Sequence, residues 1–203
     1  MLTKLKQKVQ QMLAVEAKTA HRIRLTPNRI SGIGIMLAFL SAFAYSQWTM
    51  HPLSLLVATA LLLLSGFCDA LDGVVARLYQ QATVFGGFLD SLLDRYADAA
   101  VYTAIIISGL CEPMWGMIAL AGSLLVSYSR ARAEAAGVKM ESVGIAERAE
   151  RIIILVVASI LSTYWPPTTT MNAAIILLAI LSNLTVLQRS IYAYNRLKKK
   201  ETD

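Results

Sequence analysis

Six long apolar runs separated by short polar stretches dominate the chain from Ile30 to Arg189. They cover about residues 30–47, 53–71, 86–109, 114–133, 150–165 and 171–189, and about twenty apolar residues are what a bilayer-crossing helix requires. The pattern predicts an all-α integral membrane protein with six transmembrane helices in one domain, a 30–189 bundle within 1–203. Ahead of the first run, Leu2, Leu5, Val9, Met12, Leu13 and Ala17 recur near one helical face, while Lys4, Lys6, Lys8, Gln10 and Gln11 fall mostly elsewhere. That spacing predicts an N-terminal amphipathic helix over 1–20, lying along the cytoplasmic interface. Thr26-Pro27-Asn28 then opens the first span, because proline suits a first helical turn and Thr or Asn can satisfy its free amides. Residues 190–203, with Arg196, Lys198, Lys199 and Lys200, read as a solvated cytoplasmic tail.

Composition strengthens the membrane reading: 56% of the 203 residues are hydrophobic and 16% charged, with a mean hydropathy of +0.55. Nearly thirty mixed residues precede Ile30, the wrong shape for a cleaved signal peptide. In the six-helix arrangement all nineteen Lys and Arg fall on one side. The opposite connections, around Gln47 to His51, Cys111 to Pro113 and Tyr164 to Thr170, contain none. The positive-inside rule therefore predicts a multi-pass protein of the cell membrane with both termini in the cytoplasm. The net charge of +6 describes a basic face suited to anionic headgroups or phosphorylated substrates, and no nucleic-acid module is present. Cys68 and Cys111 are expected at opposite ends of the bundle, too far apart for a disulfide. His21 and His51 likewise fall on opposite faces and do not form a metal pair.

Against this background Asp69, Asp72, Asp90 and Asp94 stand out. Carboxylates at membrane depth are costly and need a cation or a reaction to explain them. Asp69 and Asp72 are three residues apart and Asp90 and Asp94 four apart, so each pair projects from one helical face, and the two helices are antiparallel neighbours. Converging oxygen ligands select a hard divalent cation, Mg²⁺, Mn²⁺ or Ca²⁺, and the spacing accommodates one or two ions, two being the usual device for phosphoryl displacement. Gly73 and Gly86 remove side chains beside these acids, and Arg77, one turn beyond Asp72, can meet a phosphate oxygen. Asp98 is expected to be structural and paired with Arg95.

The run Asp69-x-x-Asp72-Gly73-x-x-Ala76-Arg77, eight residues, then Gly86-x-x-x-Asp90-x-x-x-Asp94 resembles the complete signature of the CDP-alcohol phosphotransferase family. The resemblance extends over the six spans and Thr26-Pro27-Asn28. It implies transfer of a phosphatidyl-type group from a CDP-linked lipid to an alcohol, with release of CMP. It further implies that Asp69, Asp72 and Asp90 hold one metal, and that Asp94 serves a second metal and acts as general base. Asn28, Asp69, Gly73, Ala76 and Arg77 would bind the CDP-lipid. A homodimer is also implied.

The second half of the chain bears on the acceptor. Arg130 and Arg132 close the fourth run, Arg151 opens the fifth and Arg189 closes the sixth. Guanidinium forks match phosphate geometry, pointing to an acceptor that carries a phosphate. The alternative is that these arginines only obey the positive-inside rule and pair with Glu134, Glu147 and Glu150. The segments Ser127-Tyr128-Ser129-Arg130-Ala131-Arg132-Ala133-Glu134 and Glu147-Arg148-Ala149-Glu150-Arg151 resemble the inositol-phosphate branch of the family. By that resemblance Arg130, Arg151 and Arg189 would bind the phosphate of inositol 1-phosphate, with Arg132 and Glu134 in support; the basic residue at Arg130 is often lysine in that branch. The compact N-terminus and the 144–151 run resemble the archaeal members, implying CDP-archaeol rather than CDP-diacylglycerol as donor. Two rivals stand beside this: a family member using glycerol 3-phosphate, and a non-enzymatic divalent-cation transporter. The linker 137–144 is expected to be short and flexible.

Overall fold

The computed structural model describes residues 13–202 apart from 52 and 141–142, and every described element is helical. The helices are α1 (13–22), α2 (Pro27–Ser46), α3 (Ser54–Leu78), α4 (Val84–Ile107), α5 (Pro113–Ala135), α6 (Arg148–Leu161) and α7 (Pro167–Thr202). Local chemistry sets several of these boundaries. Pro27 and Pro113 occupy the first turns of α2 and α5, where the missing amide costs nothing. Thr83 caps α4, its hydroxyl accepting from the Gly86 amide at 2.9 Å. Gly137, just past α5, adopts a φ of +75°, a left-handed conformation that favours glycine at a helix end.

Three helices are long and apolar enough to cross a bilayer: α2, α3 and α7. The other three of the six expected spans depart from that criterion for distinct reasons. α4 carries Asp90, Asp94, Arg95 and Asp98 within its length, and α5 ends in Arg130, Arg132 and Glu134. α6 has 14 residues, or roughly 21 Å of helix against a hydrocarbon core of about 30 Å. Phe39, Phe43, Leu64, Phe88 and Leu187 are among the many large apolar side chains left exposed, a surface suited to lipid rather than water.

α2 packs on α3 and α4, α5 on α4 and α7, and α6 on α3 and α7. Small residues permit the close approaches: Ser65 donates to the Gly34 carbonyl at 2.8 Å and Ser41 to that of Ala58 at 2.7 Å. These are the short polar contacts expected between helices in an apolar medium. A large cluster around Tyr45, Leu62, Tyr102, Ile105, Ile175 and Leu178 fills one part of the bundle. α1 docks through Leu13, Ala17 and Ala20 against Ile30, Leu71, Val74 and Val75, and His21 stacks on Tyr79 with ring centroids 3.7 Å apart. The first twelve positions of the expected amphipathic helix, Leu2, Leu5, Val9 and Met12 among them, lie outside the described residues.

Two expectations change. The C-terminal segment is a continuation of α7 rather than a separate tail, and Tyr192, Ala193 and Leu197 pack against Ala133, Val138 and Met140. The linker after α5 is accordingly anchored, with Val138 and Met140 buried. Both thiols are free, as expected.

Candidate active site

The acidic motif folds onto three facing helices. α3 presents Asp69 and Asp72, α4 presents Asp90, Asp94 and Asp98 at four-residue intervals, and α2 adds Ser31. One carboxylate oxygen from each of Asp69, Asp72 and Asp90 lies within 4.8 Å of the others. Asp72 is buried and accepts a 2.5 Å hydrogen bond from the Ser31 hydroxyl.

Asp94 belongs to an adjoining group organised by α6. The Arg148 guanidinium reaches in, with Nη1 at 2.7 Å from Asp94 and 3.0 Å from Asp69, and Nε at 3.4 Å from Asp98. Nη1 touches two carboxylates without a well-aligned hydrogen bond to either, so charge rather than direction holds it. Asp98 is paired with Arg148 and Arg151, the latter at 2.8 Å, and accepts from Ser123 at 2.8 Å. The expected Asp98–Arg95 pair is therefore replaced, because Arg95 turns back to the Ser91 carbonyl of its own helix.

Of the five clustered carboxylates, Asp69, Asp94 and Asp98 contact two guanidinium groups directly, while Asp72 and Asp90 contact neither. The cluster retains surplus negative charge, its free donors are all oxygens, and three converge within reach of one ion. Such a set fits a hard divalent cation, with Asp69, Asp72 and Asp90 as its holders.

A cleft of about 140 Å³ adjoins the acids and is lined by Asn28, Gly73, Ala76 and Gly86, with Ser31, Asp72 and Asp90 shared. Arg77 folds back over Gly73, its Nη1 3.3 Å from where a β-carbon would stand. A β-carbon on Gly86 would lie 2.9 Å from the Thr83 hydroxyl and 3.1 Å from Asn28 Oδ1. Gly86→Ala is consequently expected to destabilise the fold by about 1–3 kcal/mol through overpacking. Thermal unfolding in detergent checks this, and an unchanged Tm would contradict it.

Of the four arginines singled out for the acceptor, Arg189 is buried, donating from Nε to the Val143 carbonyl at 2.8 Å and from Nη1 to that of Val126 at 2.5 Å. Its Nη2 stands 3.6 Å from Glu147, and Arg130 and Arg151 are close enough to act on its charge. Arg151 is buried between Asp98 and the Ala146 carbonyl. Arg130 pairs with Glu134 at 3.0 Å on an exposed turn, and Arg132 is exposed on the last turn of α5. Arg148 and Ser31 were not among the residues singled out. The signal for Arg148 was its place three residues before Arg151, on the same face of α6; a lone serine in an apolar helix carries little signal.

The known proteins similar to this chain decide the family. Residues 24–189 match the family model of CDP-alcohol phosphatidyltransferases. This chain belongs to that family. An archaetidylinositol phosphate synthase of Methanothermobacter thermautotrophicus is 45% identical over 179 residues, covering 88% of each chain. The crystal structure of Mycobacterium tuberculosis phosphatidylinositol phosphate synthase with manganese and citrate superposes with a TM-score of 0.76 at 28% identity, covering 90% of this chain and 88% of that one. The same enzyme with CDP-DAG bound gives a TM-score of 0.75 at 28% identity, covering 91% and 94%. A CDP-alcohol phosphatidyltransferase acts at a phosphoanhydride, and an oxygen-rich acidic centre beside a glycine-lined cleft suits that chemistry.

Proposed function

We propose that this protein transfers the phosphatidyl-type group of a CDP-linked lipid, CDP-archaeol in the first place, to inositol 1-phosphate, releasing CMP. The observation that carries the reading is the joining of two groups at the start of α6: Arg148 enters the acidic centre while Glu147, the residue before it, stands 3.6 Å from Arg189. The activity named for the archaeal relative, which matches most of this chain, agrees with it.

In the reaction the acceptor hydroxyl oxygen forms a bond to the lipid-bearing phosphorus, and the phosphoanhydride P–O bond breaks. The electron pair leaves with CMP, and the hydroxyl proton passes to the Asp94 carboxylate. Bound Mg²⁺ or Mn²⁺, held by Asp69, Asp72 and Asp90 with Asp94 serving a second ion, would neutralise charge on the diphosphate and the leaving CMP. Asn28, Gly73, Ala76 and Arg77, with Asp69, receive the nucleotide end of the donor. Arg130, Arg151 and Arg189, with Arg132 nearby, bind the acceptor phosphate. All six helices α2–α7 cross the membrane, α1 lies at its cytoplasmic surface, and the acidic site opens to the cytoplasm, as the one-sided placement of lysine and arginine supports.

Arg189→Ala is expected to raise KM for inositol 1-phosphate at least about tenfold while changing KM for the CDP-lipid little, since a lost charge-assisted hydrogen bond costs about 1.5–3 kcal/mol. Steady-state rates with each substrate varied in turn give the comparison. Equal increases for both substrates would remove Arg189 from the acceptor site.

A further inference from the structure

Beyond the acidic centre, the same end of the bundle contains a cavity with a different chemistry. It has a volume of about 410 Å³, lies between the start of the 137–147 linker and the end of α7, and is lined by Gly137, Lys139, Tyr192, Arg196, Lys199 and Lys200, together with Val138. Among the described residues no carboxylate lines it. It shares no residue with either cleft of the acidic site.

The walls are built rather than incidental. Tyr192, Ala193 and Leu197 fasten α7 to Ala133, Val138 and Met140 below the cavity. The Arg196 guanidinium lies 5.2 Å over the Tyr192 ring, with its Nε donating to the Tyr192 hydroxyl at 3.2 Å. Lys200 donates to the Gly137 carbonyl at 2.8 Å, and a β-carbon on Gly137 would stand 2.9 Å from its ammonium. Four cations held around one cavity raise its potential and favour an anion inside.

Depth along α7 indicates the source of that anion. Leu184, Leu187, Ile191 and Tyr194 form an exposed apolar stripe at helical spacing. Arg196 to Lys200 follow within about 3–9 Å of helix rise. Basic residues about half a turn to two turns beyond the last lipid-facing aromatic stand at headgroup level.

We propose that this cavity is a binding site for the phosphate group of an anionic phospholipid, separate from the substrate site. A headgroup phosphate held between Lys139, Arg196, Lys199 and Lys200 would clamp the linker to α7.

The test uses the full chain in phosphatidylcholine nanodiscs with and without phosphatidic acid, and measures lipid retained after detergent extraction by native mass spectrometry. Phosphatidic acid is expected to be retained by the unaltered protein and to bind roughly 100-fold more weakly when Lys139, Arg196 and Lys199 are all changed to Gln. Arg196→Lys, which keeps the charge, is expected to retain it. A control changing the exposed Lys18, Arg22 and Arg24 of α1 and the turn after it to Gln is expected to bind as before. Inorganic phosphate bound in lipid-free detergent and lost in the cavity variant would support the phosphate site with a soluble source. Equal phosphatidic acid retention by the unaltered protein and the cavity variant, or an equal loss in the α1 control, would overturn the proposal.

Discussion

Asp94→Asn is expected to slow CMP release about 10³-fold, within the range for loss of a positioned general base. An amide has nearly the same shape but cannot accept the acceptor's proton or balance Arg148, whose Nη1 lies 2.7 Å from the carboxylate. Asp69, Asp72 and Asp90 form their own group without Asp94, so binding of the CDP-lipid is expected to survive. Single-turnover CMP release, set beside equilibrium binding of the donor, separates these effects. A rate within a few-fold of the unaltered protein would remove Asp94 from the chemistry; loss of donor binding would move its role from proton transfer to assembly of the site.

Asp98→Ala is expected to have the largest effect on stability. Asp98 joins Arg148 and Arg151 and receives the Ser123 hydroxyl, so truncation leaves two largely buried guanidinium groups short of a partner. Removing one member of a buried ionic group costs about 3–5 kcal/mol, a fall in Tm on the order of 10 °C for a chain of this size. Thermal unfolding in detergent gives the value. Asp98→Asn, which can still accept from Ser123, is expected to fall less. Equal stability of Asp98→Ala and the unaltered protein would show that α6 is held by its apolar packing alone.

The parts legible in the sequence were those with a short period and a strong energetic reason. The aspartates announced themselves because helical spacing orients i, i+3 and i, i+4 residues without knowledge of the fold. The six helices appeared as hydrophobic runs, although 14-residue α6 and the charged α4 fall short of an independent span. Pairing was much less legible. Arg95 and Asp98 have favourable spacing, yet α6 delivers two arginines to Asp98 from fifty residues away. The packing of the C-terminal turns was also hidden, since Tyr192, Ala193 and Leu197 find their partners only once the linker turns back at Gly137. Local charge density could reveal a basic end, but not the cavity it encloses.

The most direct experiment compares CMP release by the purified protein with CDP-archaeol and Mg²⁺ when inositol 1-phosphate, free inositol, glycerol 3-phosphate or serine is the acceptor. Release with inositol 1-phosphate and little with the others is expected, because the proposed site asks the acceptor for both a hydroxyl at Asp94 and a phosphate at Arg130, Arg151 and Arg189. Release driven by glycerol 3-phosphate, with inositol 1-phosphate inert, would contradict the assignment of the acceptor while leaving the acidic centre its role.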